Sequence, residues 1–294
     1  MDLNKTKSDL IDAVLEGYLE DLRADDDEKT ATTLGYTHSL HRFWRQVLRM
    51  LPVAPGSSVL DAGSGLGLLP FELAANVALR VEGSDLDPNF IEHSRVLQGR
   101  LGDAGAFDSD ADIAFSVGDV CALDFADASF DLVFIREVLQ FVPDPAQALH
   151  ELLRVLKPGG YACVSDMDDG LRITWPPPSP ALARLVDVVA DLQHEGGGDR
   201  NIGRKLTTYL RSVGFDINSI VVLPEAQHRV VDGDDNERAL ILEQLHAARL
   251  RVLAAGTDDV DSFDRDLAEL ESEAPFEEFR LNARLVVLAQ RPAA

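Results

Sequence analysis

The most constraining feature of the sequence is a glycine-rich turn between a short apolar run and an amphipathic segment. The pattern predicts a β-strand at Ser58–Asp61 and a helix at Leu68–Asn76. Between them, Gly63, Gly65 and Gly67 alternate with other residues. Because glycines carry no side chains, a ligand can approach the backbone closely, and the first amide groups of the helix point toward it. The turn therefore predicts a ligand site at the carboxyl end of the strand.

The spacing of the glycines separates two classes of ligand. A dinucleotide fingerprint reads G-x-G-x-x-G and would need a glycine at position 68, where the sequence has Leu68. Asp61 lies two residues before the first glycine, and a carboxylate there would repel a pyrophosphate and attract an ammonium group. The turn therefore fits a nicotinamide dinucleotide less well than a ligand with a charged amine, although the turn alone does not decide between them.

Beyond the turn, short apolar runs alternate with amphipathic helices as far as Asp166. This alternation predicts a doubly wound α/β fold, in which a mostly parallel, seven-stranded sheet carries helices on both faces. Ligands of such sheets bind at the carboxyl ends of the strands. Prolines at 176–178 interrupt the pattern, and helical segments outside the core predict a helical cap. We expect N-terminal cap helices at 1–50, the ligand-binding core at 51–170, a cap insertion at 171–200, the core again at 201–229, a helical cap insertion at 230–278 and a last core strand at 279–294.

Two further carboxylates follow the next predicted strands. Asp85 follows Asp61 by 24 residues, a spacing at which an acid accepts hydrogen bonds from ribose hydroxyls. Asp87 precedes a proline and is the better N-cap for the next helix, which leaves Asp85 for the ribose. Asp119 closes the third predicted strand, where its carboxylate either accepts from an exocyclic adenine amine or closes a turn.

The composition excludes several classes of function. The 51 acidic residues outnumber the 27 basic ones, which gives a net charge of −24. Because phosphate contacts need Lys and Arg, we expect no nucleic-acid partner. Cys121 and Cys163 belong to no metal-binding motif, so we expect neither a metal site nor a disulfide framework. The first residues lack an apolar signal core and no long apolar stretch occurs, so we expect a cytoplasmic protein that does not cross a membrane.

Five segments occur in order along the chain: VLDAGSGLG (59–67), VEGSDLDP (81–88), GDVCALDFADASFDLVF (118–134), REVLQFVPDP (136–145) and LLRVLKPGG (152–160). Together they resemble the successive motifs of class I, Rossmann-like methyltransferases that depend on S-adenosylmethionine, in the family's order and at its intervals. The later stretch 164–215 resembles a branch of that family that acts on small molecules, including natural-product intermediates.

The resemblance implies S-adenosylmethionine as cofactor, S-adenosylhomocysteine as its product, and a set of residues that bind it. The glycine turn would line the methionine and ribose, with Asp61 near the methionine ammonium group. Asp85 would bind the ribose hydroxyls, and Leu86 would cover the adenine. Asp119 and Val120 would contact the adenine edge, and the backbone at the end of the fourth strand would contact the cofactor. The implied cofactor-binding residues are Asp61, Gly63, Ser64, Gly65, Gly67, Asp85, Leu86, Asp119, Val120 and Arg136.

The implied reaction moves a methyl group to an oxygen, nitrogen or carbon atom of a small-molecule acceptor. Such a displacement mainly requires the donor and acceptor to be positioned away from water, and a hydroxyl or protonated amine acceptor also requires a base. Asp166, at the end of the fifth predicted strand, and His38, on an N-terminal helix, are the candidate catalytic residues. Many relatives carry histidine where this chain has Phe141. The alternative is therefore a protein that binds the cofactor and catalyses a cyclisation or rearrangement. The sequence leaves the oligomeric state open, a homodimer included.

Overall fold

The computed structural model describes residues 5–25, 27–49, 51, 54–77, 80–108, 111–231, 236–255 and 260–293. The helices are α1 (Lys5–Ala24), α2 (Glu28–Leu48), α3 (Leu68–Asn76), α4 (Pro88–Asp103), α5 (Pro145–Val155), α6 (Pro180–Glu195), α7 (Leu206–Val213), α8 (Asn236–Ala255) and α9 (Val260–Glu271). The strands are β1 (Ser58–Ala62), β2 (Arg80–Asp85), β3 (Asp112–Val117), β4 (Phe130–Arg136), β5 (Leu156–Met167), β6 (Ile173–Trp175), β7 (Asp216–Val231) and β8 (Phe276–Gln290).

Several helices begin at capping residues that the sequence makes visible. The side chain of Asp87 accepts a hydrogen bond from the Asn89 amide, and a proline occupies the first turn of α4. Asp144 and Ser179 cap α5 and α6 in the same way. The prediction that Asp87 caps the helix is confirmed, so the neighbouring Asp85 is not needed for that purpose.

The strands form one sheet in the order β3-β2-β1-β4-β5-β8-β7, and β6 pairs with β8 beyond the end of β5. The first five strands in this order run parallel to one another, whereas β8 runs antiparallel to β5 and β7 beside it. The predicted doubly wound, mostly parallel sheet with helices on both faces is confirmed. The predicted count of seven is wrong, because the described residues form eight strands. The additional strand, Ile173–Trp175, has three residues before a proline run and is too short to produce a periodic signal.

Helices cover both faces of the sheet, and the N-terminal helices take part in this packing. α5 and α7 cover one face, around a buried cluster that includes Leu149 and Leu210. On the other face, Leu15 of α1 and Leu34 of α2 lie in one buried cluster with Phe71 of α3. The α1–α2 pair is therefore anchored on the helix that follows the glycine turn, and α2 is held close to the ligand edge of the sheet.

β7 and β8 form an antiparallel ribbon that is longer than the rest of the sheet. Their pairing runs from Asp216–Gln290 to Val231–Phe276, whereas β5 ends opposite Arg284. The outer half of the ribbon consequently stands above the carboxyl ends of the parallel strands. The helices α6, α8 and α9 pack around a separate apolar cluster, which includes Leu185, Leu245, Phe263 and Leu267.

Candidate active site

The glycine turn leaves β1 as a tight loop tied to β2. The amides of Gly63 and Ser64 both donate to the Ser84 carbonyl, at 2.7 and 2.9 Å. Gly63 has a φ of 78°, and a Cβ added there would lie 2.2 Å from Val138 Cγ2. Gly65 has a φ of 53°, but a Cβ added there would meet nothing within 4 Å. The turn therefore packs against Val138 at Gly63, which is its closed position. The space beside Gly65, called the cradle below, is open, and a ligand has room to approach the backbone there.

Asp85 ends β2 beside the open part of the turn. Its Oδ2 accepts from the Gly65 amide at 2.8 Å, and its Oδ1 accepts from the Asp87 amide at 3.0 Å. The half-buried carboxylate is therefore fixed in orientation, and each oxygen keeps a lone pair for a further donor. This geometry suits a carboxylate that accepts from a pair of ligand hydroxyl groups.

Asp61 lies fully buried beneath the turn. Its Oδ2 accepts from Arg136 Nη2 at 3.1 Å, and the Arg136 guanidinium lies 5.1 Å from the centre of the Trp44 ring. Burial raises the pKa of Asp61, and the charge of Arg136 partly offsets that effect. Neither Asp61 Oδ1 nor the buried Ser64 Oγ has a hydrogen-bond partner. Two unsatisfied polar atoms at one turn are the pattern expected where a polar ligand supplies the missing partners.

Apolar side chains flank Asp85 at the ends of β2 and β3. Leu86 is 70% exposed and Val117 is 53% exposed, although both are large hydrophobic residues. The Gly118 amide donates to the Asp85 carbonyl at 2.9 Å, which brings the end of β3 beside Asp85. Asp119 is exposed and accepts from the Cys121 amide at 2.8 Å, while Val120 is buried. The structure thus gathers the predicted adenine-side residues at one edge, with an apolar surface that a flat ring would cover.

The two candidate catalytic residues lie in different places. Asp166 ends β5 at the ligand edge but is fully buried, and its oxygens accept from the amides of Gln140 at 3.1 Å and Met167 at 2.9 Å. Burial, reinforced by the nearby charge of Glu137, raises the pKa of Asp166 well above its ordinary value. His38 instead lies buried between α1 and α2, with its Nε2 2.8 Å from Asp12 Oδ1.

A neighbouring histidine belongs to a buried polar network that joins α2 to α3. His41 Nε2 lies 3.4 Å from Glu72 Oε2, which also accepts from Arg45 Nε at 2.9 Å. Glu72 is fully buried, and burial would raise its pKa, but His41, Ser8 and Arg45 together lower it. Burial lowers the pKa of His41. The network therefore holds a charged carboxylate that anchors the N-terminal helices beside the site.

Sequence reasoning missed a further carboxylate at the ligand edge. Glu137 follows β4 directly, and its Oε1 lies 3.1 Å from Arg284 Nε of β8. Arg284 is also paired with Glu225 of β7, at 2.8 Å from Nη1 to Oε2. Glu137 stands in the REVLQF segment, next to Arg136, and a charged residue directly after a buried strand was the signal that could have identified it. Phe141, four residues further, is 59% exposed in the 3₁₀ turn Leu139–Phe141.

The residues present at the turn fit S-adenosylmethionine. The cradle at Gly65 is open, the oriented carboxylate of Asp85 adjoins it, and exposed apolar side chains lie at the adenine side. The unpartnered Asp61 Oδ1 and Ser64 Oγ lie where the polar methionine portion is expected. Within the described residues, no group of His, Cys, Asp and Glu side chains is arranged to hold a metal ion. None of the helices in the described part of the chain has the length and apolarity needed to cross a membrane.

Comparison with known proteins yields matches over the same region. Residues 60–164 match the family model for a methyltransferase domain. The chain is 32% identical over 126 residues to the methyltransferase GfsG of Streptomyces halstedii, across 43% of each protein. It is 28% identical over 201 residues to the O-methyltransferase resE of Aspergillus sclerotiorum, across 68% of this chain and 67% of that protein. The chain spans about half the length of the curated relatives that it matches, with 58%, 43% and 32% covered in three of them.

The fold is also similar to solved structures. The crystal structure of the cyclase SpnF matches with a TM-score of 0.53 and 20% sequence identity, over 86% of this chain and 81% of that one. At this level of identity the similarity concerns the fold alone. It agrees with the sheet order and with helices on both faces.

Proposed function

Because the chain belongs to the class I, Rossmann-like methyltransferases, we propose that it transfers a methyl group from S-adenosylmethionine to an oxygen, nitrogen or carbon atom of a small molecule. The observation that carries this proposal is the open cradle at Gly65 beside the oriented carboxylate of Asp85. O-methyltransferases among the relatives support a small-molecule acceptor of the kind found in natural-product biosynthesis.

The chain's residues would bind the cofactor in three groups. Asp85 would accept from the ribose hydroxyls, and Leu86 would cover one face of the adenine. Asp119 and Val120 would contact the adenine edge. The turn from Gly63 to Gly67, with Ser64, Asp61 and Arg136, would hold the methionine portion. When bound, the cofactor supplies an electrophilic methyl group on a positively charged sulfur.

The remaining task of the protein is to position the acceptor and exclude water. We infer that the acceptor would be enclosed between α2, the outer half of the β7–β8 ribbon and the helices α6, α8 and α9. These elements come from both ends of the chain. A small acceptor enclosed there would meet the methyl group without competing hydrolysis.

The proposal also covers the partners and location of the protein. A net charge of −24 favours a small-molecule acceptor over a nucleic acid. Cys121 and Cys163 are free thiols, which favours a reducing, cytoplasmic compartment. In the described part of the chain, no strand pairs with the outer edge of β7, and its Ile220 and Val222 are 54% and 53% exposed. This edge favours a homodimer, which light scattering of the purified protein would test.

Two measurements test the proposed activity. Calorimetry with S-adenosylhomocysteine should give saturable binding with one site per chain, and absence of binding would overturn the proposal. Incubation with methyl-deuterated S-adenosylmethionine and a panel of phenols, hydroxyquinones and amines should then give a product that gains one labelled methyl group by mass spectrometry. A product of unchanged mass, formed only in the presence of the cofactor, would instead support a cyclisation or rearrangement.

A further inference from the structure

Glu137 has an unusual backbone conformation at the end of β4. Its φ is 59°, and the only other non-glycine residue with positive φ in the described ranges is Ala128. A glutamate in this left-handed region is strained, and such residues are concentrated at functional sites. The Glu137 amide still donates to the Ser165 carbonyl of β5 at 3.0 Å. The backbone therefore remains in register with β5 while the chain turns sharply out of the sheet at this residue.

The contact between Glu137 and Arg284 crosses the ligand edge. β5 lies between β4, which Glu137 follows, and β8, which carries Arg284. With adjacent strands about 4.8 Å apart, the two side chains meet across the carboxyl end of β5. Asp166 occupies that end, opposite the residue next to Arg284. The Glu137 carboxylate therefore lies over the edge at which parallel sheets bind their ligands.

Glu137 and Asp166 differ in access to a ligand. The Asp166 side chain is fully buried and both its oxygens accept from backbone amides. The Glu137 side chain is 24% exposed, while the Arg284 side chain beneath it is only 4% exposed. Of these two carboxylates, only Glu137 has an exposed part at the ligand edge, and its buried Oε1 lies 3.1 Å from Arg284 Nε with no hydrogen-bond partner of its own. The Glu137 carboxylate is therefore the one left available to a ligand.

The titratable groups around Glu137 come from five elements, β4, β5, β7, β8 and α2. Burial raises the pKa of Glu137, and the guanidinium groups of Arg284 on β8 and Arg136 on β4 oppose that increase. The carboxylate of Glu225 on β7 acts in the raising direction, and the charge of Glu137 in turn raises the pKa of Asp166 on β5. α2 contributes Tyr36, which interacts with Arg284. A carboxyl group with a raised pKa is better matched to removing a proton near neutral pH than an ordinary glutamate is.

We propose that Glu137 is the catalytic base of the methyl transfer and that the acceptor is a small molecule that reacts through a hydroxyl oxygen. This inference rests on the proposed function. In the step, the hydroxyl proton passes to the Glu137 carboxylate while the oxygen forms a bond with the methyl carbon. The bond between that carbon and sulfur breaks, and its electron pair stays on sulfur. Glu137 then releases the proton to solvent.

The test compares Glu137→Gln with Glu137→Asp and with Glu225→Gln, which removes the other carboxylate on Arg284. The acceptor is whichever phenol of the panel the wild-type protein methylates. Glu137→Gln should lower kcat by about 100-fold or more, and should leave the affinity for S-adenosylhomocysteine within about twofold. Glu137→Asp should recover part of the rate. The wild-type rate should rise with pH along an acidic limb that Glu137→Gln lacks and Glu225→Gln keeps.

A structural role for Glu137 gives different results. If Glu137 only positions Arg284, Glu137→Gln and Glu225→Gln should lower the thermal midpoint and kcat alike, with the acidic limb kept in both. That result would overturn the proposal, as would a Glu137→Gln rate within threefold of wild type.

A second measurement does not depend on turnover. In protein labelled with ¹³C-glutamate and saturated with S-adenosylhomocysteine, the carboxyl signal missing from Glu137→Gln should titrate above the ordinary glutamate pKa of about 4.3. Titration at or below that value would overturn the role of Glu137. If S-adenosylhomocysteine binds but wild-type protein methylates no member of the panel, the proposed function fails. The titration still decides whether Glu137 has the raised pKa that a base near neutral pH requires.

Discussion

The proposed cofactor side and the proposed acceptor side of the cleft are built differently. On the cofactor side, backbone amides hold the functional groups, as when Gly65 and Asp87 donate to Asp85. These residues lie within a short stretch of the chain. On the acceptor side, side chains hold one another across the fold, as when Arg284 joins Glu137 to Glu225. The first arrangement depends on local sequence and the second on how distant elements pack, so the two sides should respond differently to substitution.

α2 links the two sides, because Trp44 lies over Arg136 and Tyr36 interacts with Arg284. Its position depends in turn on the buried carboxylate of Glu72 on α3. The acceptor side is therefore assembled only when the N-terminal helices are docked. On the cofactor side, the hydrogen bonds that orient Asp85 come only from the turn between β1 and α3 and from the residues directly after β2.

The largest effect on folding should come from Glu72→Gln. Glu72 is fully buried and accepts from Arg45 and His41, so losing its charge leaves the Arg45 guanidinium with Asp12 as its remaining acid. We expect the free energy of unfolding in urea to fall by about 3 kcal/mol, at the lower end for a broken buried pair. Binding of S-adenosylhomocysteine to the protein that remains folded should change little.

The matched control for Glu72→Gln is Asp266→Asn, which breaks the surface pair with Arg184, whose side chain is 56% exposed. It should cost less than about 1 kcal/mol. Equal losses in the two variants would contradict the view that the Glu72 network anchors the N-terminal helices. A large loss of cofactor affinity in Glu72→Gln would show that the two sides of the cleft are not separable.

The next effect should be on binding at the cofactor side, in Asp85→Ala. Two hydrogen bonds from ribose hydroxyls to a charged acceptor, at about 1.5–3 kcal/mol each, imply at least about a 100-fold weaker affinity for S-adenosylhomocysteine by calorimetry. Asp87→Ala is the matched control, because Asp87 caps α4. It should lower stability by about 1 kcal/mol and leave the affinity within about threefold. Equal losses of affinity would remove the distinction between the two carboxylates.

The same contrast between local and distant contacts explains which features could be predicted from the sequence. The glycine turn and the Asp87 cap are local patterns, in which each residue acts on neighbours a few positions away. The parallel sheet followed from the alternation of strands and helices. What could not be predicted were contacts between distant residues, such as the one that places His38 against Asp12 in the α1–α2 interface.

The β7–β8 ribbon shows why strand lengths were underestimated. The apolar pattern predicts a strand at 218–223, but β7 covers Asp216–Val231. In its outer half, Glu225 is buried against Arg284, and in β8 both Glu278 and Arg280 are buried. Charged residues at alternate positions indicate a solvated segment when read alone. Only the pairing of the two strands shows that these charges face the interior and neutralise one another.

A smaller effect should distinguish the closed and open positions of the glycine turn. Gly63→Ala and Gly65→Ala both place a side chain at positive φ, which costs about 1 kcal/mol. At Gly63 the new methyl group also meets Val138, so the total loss of stability should reach about 2 kcal/mol. At Gly65 the methyl group has space but enters the cradle, so the main effect should be about a tenfold loss of affinity for S-adenosylhomocysteine. Equal stability losses, measured by urea unfolding, would argue against the closed contact at Gly63.

The smallest effect concerns the pH dependence of stability on the acceptor side. Because burial and Glu137 raise the pKa of Asp166 in the folded protein, the folded state holds this proton more tightly than the unfolded state does. Asp166 therefore adds to the free energy of unfolding, and this addition is fully present below the unfolded pKa of about 4. It is lost as the pH rises toward the folded pKa, at up to about 1.4 kcal/mol per pH unit. Asp166→Asn should lack this decline, which urea unfolding at several pH values would measure. Asp168→Asn should change the slope of the free energy of unfolding against pH in the opposite sense. The reason is that Arg204 outweighs burial and lowers the pKa of Asp168. Parallel pH profiles for wild type and Asp166→Asn would show that Asp166 carries no raised pKa, and that the Glu137 charge does not act on it.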